Sequence, residues 1–527
     1  MENGNGYKDS DSVTQRRNGQ RVDIYSNGAT KEQESSFQGN GVFVHDGETR
    51  IGMKGQQVQQ EKDPRMATAL QKHQFTILVL LFQILFFVIF GLFAKYDTAA
   101  MPNKDGVDDP IPVAKMYSMF QDTHVMIYIG FGFLMTFLRR YGFSALSINM
   151  LLAAFTIEYA VIVRGFMGHE FQKHGYFTIG LEQILTSDFA AAVVLISMGA
   201  MLGKLSPVQY IVMTIFEIPV ALGAEHFVVH TLKINDVGGS IVVHAFGAYF
   251  GLACSKAFGR KEQRGHPNEG SNYHSDTFAM IGAIFLWVFW PSFNAAVAEP
   301  ADAKHRAVLN TVLSLASCTV ATFIVSQATD HHKKFEMVHV ANSTLAGGVA
   351  IGTVANVCLS PLHAIIVGFI AGCVSVIGYR YITPVLSEKL GMHDTCGVHN
   401  LHGMPAVIAA FASVAMALYY NPEDYGKSLG TIYAGMKTEE NKDGFDQTGQ
   451  AVHQLAGLGV VLLAAIISGF ITGFILKLKV WNQVREKEFY ADADYFETPS
   501  DYDFTSRITS CIDHVDINER TPLHKEA

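Results

Sequence analysis

Two histidines in this chain lie in matching surroundings. Asp236-Val-Gly-Gly-Ser-Ile-Val-Val-His244 and Asp394-Thr-Cys-Gly-Val-His-Asn-Leu-His402 both read D-x-x-G-x-x-x-x-H, and each opens an apolar run. An imidazole can donate and accept a hydrogen bond at once, titrates near neutrality and ligates metals. Either histidine alone reads as a buried ring bonded to nearby backbone or hydroxyl. Repetition of the whole context points instead to a shared site that handles a proton or a small polar molecule. Metal binding is the competing chemistry, but no third ligand repeats beside the pair. His169-Glu-Phe-Gln-Lys-His174 puts its second histidine one residue too late for the zinc-protease helix face. No nucleophile set or phosphate loop argues for an enzyme, and nothing calls for a cofactor. The carboxylates of Asp236 and Asp394 suit the N-termini of the helices that follow them.

The elements around these residues are set by hydropathy. Hydrophobic residues make up 49% of the 527 and charged ones only 17%, so charge must be confined to loops and ends. A bilayer core about 30 Å thick needs about 20 apolar helical residues, since only a helix satisfies its own backbone there. Phe75 to Ala94 meets this outright. Further runs lie near 122–138, 143–163, 184–203, 206–229, 237–258, 276–298, 305–327, 335–357, 361–382, 401–420 and 451–477. The predicted fold is an all-α polytopic membrane protein with about twelve transmembrane helices. The glycine pairs Gly199/Gly203, Gly247/Gly251 and Gly368/Gly372 are expected to let helices approach closely. Cys254, Cys318, Cys358 and Cys373 read as small buried side chains, with no CxxC pair anywhere.

The histidine motif is one part of a longer repetition. Asp122-Thr-His-Val-Met-Ile127 precedes the first copy and Asp276-Thr-Phe-Ala-Met-Ile281 the second, at nearly equal offsets. Two five-helix repeats follow, about 120–258 and 275–420, with one extra helix at each end. An odd number of spans per copy turns the second copy over, so the repeats are inverted about an axis in the membrane plane. That axis brings His244 and His402 together near the midplane, where ionisable residues are usually retained for function.

Residues 1–72 and 481–527 are polar and are expected to be disordered tails, and the net charge of −9 comes largely from tails and loops. That charge argues against a nucleic-acid role. Arg139-Arg140, Arg260-Lys261 with Arg264, and Lys333-Lys334 fall on one side, while opposite loops dilute their lysines with acids. Both termini are therefore expected in the cytoplasm. Partners of the tails are not readable.

Longer strings then carry a resemblance. His124 to Ala145 (HVMIYIGFGFLMTFLRRYGFSA), Asp236 to Leu252 (DVGGSIVVHAFGAYFGL) and Phe278 to Asn294 (FAMIGAIFLWVFWPSFN) closely resemble the Rhesus glycoproteins of the ammonium transporter superfamily. So do Met337 to Gly352 (MVHVANSTLAGGVAIG) and Asp394 to Pro405 (DTCGVHNLHGMP). The resemblance spans about residues 75–480 and implies a plasma-membrane homotrimer, each subunit holding a narrow ammonia-conducting pore. It puts the family's pore histidines on His244 and His402, an external phenylalanine gate on Phe189 and Phe293, and Asn294 beside the pore. Vestibule acids fall on Glu225 outside and on Asp276 and Glu336 inside. It implies that ammonium is recruited, deprotonated and passed as ammonia, with no net charge crossing. Carbon dioxide is the alternative passenger, alone or beside ammonia. A non-conducting scaffold is the other class, and retention of both histidines argues against it. One departure is that residues 95–121 lack the N-x-S/T sequon common in the family's first external loop. Asn342-Ser-Thr falls inside an expected span.

Overall fold

The computed structural model describes residues 73–102, 111–499 and 502. The expected tail 1–72 and most of the tail beyond 499 lie outside the described residues. Apart from short helices of four to six residues, including Phe131–Leu134 and His169–His174, the helices are α1 Gln74–Phe93, α2 Ile111–Val125, α3 Gly142–Met167, α4 Leu181–Met201, α5 Pro207–His226 and α6 Phe246–Phe258. They continue as α7 Tyr273–Ala295, α8 Ala301–Thr329, α9 Met337–Ser343, α10 Ala346–Gly352, α11 Pro361–Ile377, α12 Met404–Tyr419 and α13 Gln447–Leu476. Several are extended by wider π-type turns, notably Ser240–Ala245 before α6 and His399–Gly403 before α12. The described strands β1 Ala94–Tyr96 and β2 Phe177–Ile179 form one short parallel pair.

Among the described residues, ten helices are long and apolar enough to cross a membrane. Two of the expected spans fall short of that test for different reasons. The run 335–357 is two helices of 7 residues each, α9 and α10, broken at Thr344 and Leu345. The run 122–138 begins earlier, since α2 starts at Ile111 and Asp122 lies in its later half rather than opening it. The polar run Gln121-Asp122-Thr123-His124, late in α2, lowers the hydropathy of any window across this span.

Burial sorts the helices into layers. The most apolar stretches of α4 and α6 are buried over 83% and 89% of their residues, whereas that of α1 is 6% buried. Central helices pack through small residues. A side chain on Gly247 or Gly251 would strike α4 at Val193 and Ser197, and one on Gly368 or Gly372 would strike the α8 backbone at Ser314 and Cys318. These two pairs act as expected. Gly203 does not, because it turns the chain out of α4 at φ 76°, a left-handed conformation that glycine adopts without steric cost. Outer α1 touches the body through an aromatic contact, Phe86 lying 5.2 Å from Phe155 between ring centres. Its exposed Leu80, Leu81, Phe87 and Leu92 suit a lipid surround.

The segment 481–499 is not a structureless tail. Phe489 and Tyr490 are fully buried, and the Tyr490 backbone N–H donates to Gly203 O at 2.9 Å. Asp492 accepts from the backbone N–H groups of Phe143 and Ser144 at 2.9 Å each and caps α3. The acidic composition suggested disorder, but these aromatics have a seat among the helix ends and the carboxylate meets donors that would otherwise be orphaned. The same face holds the start of α1, since Gln74 Nε2 donates to Val480 O at 2.8 Å.

Candidate functional site

The turns that enter α6 and α12 are built by the repeated aspartates. Asp236 Oδ2 accepts from Ile241 N and Val242 N at 2.9 Å each, and its Oδ1 accepts from Thr353 Oγ1 at 2.6 Å. Asp394 accepts from Gly397, Val398 and His399 N–H groups at 3.0 Å. A carboxylate satisfies the free donors of a helix start and meets the positive end of its dipole. Each cap fixes the turn that carries a histidine.

Those histidines meet. His244 Nδ1 lies 3.1 Å from His402 Nδ1, with the ring planes 4° from parallel and both residues buried. Such a contact needs one Nδ1 to carry a proton and the other a lone pair. In neutral rings the two Nε2 atoms are then opposite in kind, one acceptor and one donor. His244 also faces Trp290 at 5.6 Å and Phe293 at 5.7 Å, and Phe131 stacks on the far side of His402 at 6.3 Å. Among the described residues, His244 Nε2 and Trp290 Nε1 are buried without a hydrogen-bond partner.

Two cavities lie at opposite ends of α7. The first, about 530 Å³, is lined by Glu225, Glu182, Glu299, Asp236, Phe189 and Phe293 among others. Phe189 and Phe293 are in contact, 4.6 Å between centres, and Phe293 also reaches His244. The second, about 140 Å³, is lined by Leu134, Asp276, Tyr379 and Asp394. Leu134 is one turn beyond Phe131, so the imidazole pair stands between aromatic contacts leading to either cavity.

The other expected residues are placed as follows. Glu225 is held by Arg164 in a two-point ion pair at 3.0 and 2.7 Å, which leaves its corner of the first cavity less acidic than a bare carboxylate would. Asp276, in the first turn of α7, accepts from Ser271 Oγ at 3.0 Å at the second cavity. Glu336 stands outside that lining at the start of α9, half exposed and 3.6 Å from His339 Nε2. Asn294 is fully buried, and its Nδ2 donates to Thr311 Oγ1 and Gly348 O, tying α7 to α8 and α10.

Four neighbours were not read from sequence. Trp290 and Phe131 lie inside the strings quoted above, but nothing in their spacing marks them as facing the imidazoles. Arg164 is separated from Glu225 by 61 positions. Asp188, fully buried beside Phe189, pairs with His124 Nδ1 at 3.0 Å. An intramembrane carboxylate next to Phe189 was the available signal for it.

The ammonium transporter family model matches residues 76–495. The ammonium transporter Rh type B-B of Xenopus laevis is 43% identical over 433 residues, covering 80% of this chain and 92% of that protein. Human ammonium transporter Rh type C is 41% identical, covering 80% and 88%. Among solved structures, Nitrosomonas europaea Rh50, from a study of conduction by the Rhesus protein family of channels, is similar at TM-score 0.64 and 33% identity, covering 77% of this chain and 98% of that one. Saccharomyces cerevisiae Mep2, at 20% identity and TM-score 0.55, shares the fold, covering 78% and 95%. These relatives are named as transporters and channels, not enzymes.

Proposed function

Because the chain belongs to the ammonium transporter family, on its Rhesus branch, we propose that it conducts ammonia across the plasma membrane without net charge, through a pore that each subunit of a homotrimer encloses. The observation that carries this reading is the buried His244–His402 contact standing between two cavities that each hold carboxylates and behind the Phe189–Phe293 pair.

Desolvating a small cation is the costly step of any crossing here, because an unpaired charge in an apolar medium is far less stable than in water. The acids of the first cavity attract ammonium. At the phenylalanine pair an N–H bond breaks, the electron pair stays on nitrogen, and the proton remains on the side of entry. Ammonia is neutral, carries three donors and one lone pair, and so fits a lumen offering alternating acceptor and donor at the two Nε2 atoms. It takes up a proton again at the second cavity, and no charge has crossed. Carbon dioxide has no donor to give these rings and could meet only the donor Nε2 of the pair, whereas ammonia can engage both.

The architecture that suits this path is twelve helical spans, ten of them in two inverted repeats, counting α9 with α10 as one. Two contacts support it. The first spans of the two halves, α7 and the helical turns Met126–Gly130 and Phe131–Leu134 that continue α2, cross where Gly282 sits against Gly130 and Leu134, and the last spans meet at the histidines in the turns before α6 and α12. Both termini then face the cytoplasm. The Gln74 contact with Val480 and the Arg260 guanidinium on Val484 O at 3.0 Å support this, joining both ends to a basic loop.

The test is an ammonium pulse to proteoliposomes holding a pH-sensitive dye, beside a carbon dioxide pulse. The reading expects faster lumenal alkalinisation than in protein-free vesicles. An ammonia response equal to protein-free vesicles would sink it, and a response to carbon dioxide alone would select the other passenger.

A further inference from the structure

A second group of imidazoles lies outside the pore path. His226 ends α5 and His230 follows one turn later, in the π-type turn Phe227–Thr231. Their ring centres are 4.6 Å apart, both side chains are exposed, and neither makes a side-chain hydrogen bond among the described residues. Together with His169 from the opposite wall they line a cavity of about 400 Å³. Arg164, Leu222, Glu225 and Val229 line that cavity and also the first pore cavity, so the Arg164–Glu225 ion pair is the charged part of the wall between the two.

Two imidazoles on one tetrahedral ion, with metal–nitrogen bonds of about 2.1 Å, stand about 5 Å apart between ring centres. The observed spacing is close to that before any ion is present. Histidines one helical turn apart on one face chelate zinc in the same way in metalloprotease helices. No three histidine, cysteine or acidic side chains are already grouped around a metal position among the described residues. His169, exposed at the head of the short helix His169–His174, lines the same cavity and is the third histidine there.

We propose that His226 and His230, completed by His169 and water, form a binding site for a borderline-soft divalent cation such as zinc, and that its occupancy slows ammonium entry through the shared Arg164–Glu225 wall. Two positive charges behind that wall oppose the acids that attract ammonium, so the effect falls on entry at low ammonium and vanishes at saturation. The flux half rests on the ammonia-conduction reading, whereas the binding half does not.

Zinc chloride titrated into the purified full-length protein against a chromophoric chelator reads binding directly. One ion per subunit is expected. Loss of a direct ligand in His226→Ala or His230→Gln should weaken affinity by at least about tenfold, since even outer-shell changes cost 10–100-fold. Unchanged affinity in the double variant overturns the site. In proteoliposomes, zinc should raise the ammonium concentration for half-maximal flux, with reversal by a chelator and no effect in the double variant. Zinc that binds without altering flux overturns the coupling. A protein silent to ammonium even without zinc refutes the conduction reading and leaves the binding result standing.

Discussion

Replacing Asp394 by alanine should be among the most damaging single changes near the site, because of the backbone that its carboxylate holds. Its carboxylate accepts three backbone N–H groups, from Gly397, Val398 and His399, at the entry to the turn that carries His402. Three orphaned donors at about 1–3 kcal/mol each set a ceiling of about 9 kcal/mol, and ordinary cap removal sets a floor of about 1–2 kcal/mol. The second cavity touches Asp394 and Gly397, so water can re-satisfy one donor. The expected loss is therefore about 3–5 kcal/mol, between those bounds. Heat-induced aggregation of the detergent-solubilised protein should show a midpoint several degrees lower, and flux should fall because His402 loses its register on His244. Asp394→Asn keeps an acceptor oxygen and should recover much of the stability. An alanine variant as stable and as active as the parent would refute the cap argument. Stability recovered by asparagine without flux would move the role from capping to charge.

Three further outcomes follow from other contacts. Glu225→Gln leaves Arg164 unmatched in the first cavity and should raise the ammonium concentration for half-maximal flux, while Arg164→Met frees the carboxylate and should lower it, both read from initial rates. Burial, helped by the charge of Lys204, holds His393 below the ordinary imidazole range despite the Glu269 carboxylate on its Nε2 at 2.6 Å. The unfolded chain takes that proton first, through about pH 6.5, so the contribution of this site is full above that pH and is lost as pH falls toward the folded value. The unfolding midpoint of the parent should therefore drop more steeply between about pH 7.5 and 5.5 than that of His393→Gln. Tyr490→Ala removes a fully buried ring and should cost about 3–5 kcal/mol, seen as faster proteolysis of the 481–499 segment.

Much of this was legible before any coordinates, for physical reasons that differ by element. A bilayer demands length and apolarity together, which is why runs such as 184–203 and 451–477 became α4 and α13. The same reading fails for 335–357. Hydropathy sums over a window and cannot see a break at Thr344, where Cys318 Sγ donates to Ser343 O and accepts from Gly347 N across helices. The histidine pair was legible because its surroundings recur. Its Trp290 neighbour was not, since the tryptophan faces the ring across a tertiary contact in which Gly348 leaves room for the indole. Composition misled at 481–499, where acidic residues cap a helix start and two aromatics are buried.

The decisive measurement is ammonia flux in proteoliposomes bearing His244→Leu with His402→Leu, with the oligomeric state of the variant compared with the parent's in the same preparation. The expected result is an unchanged assembly whose ammonia rate or selectivity is altered, because two apolar side chains remove the imidazole donor and acceptor. Conduction unchanged in rate and selectivity with both imidazoles gone would contradict it.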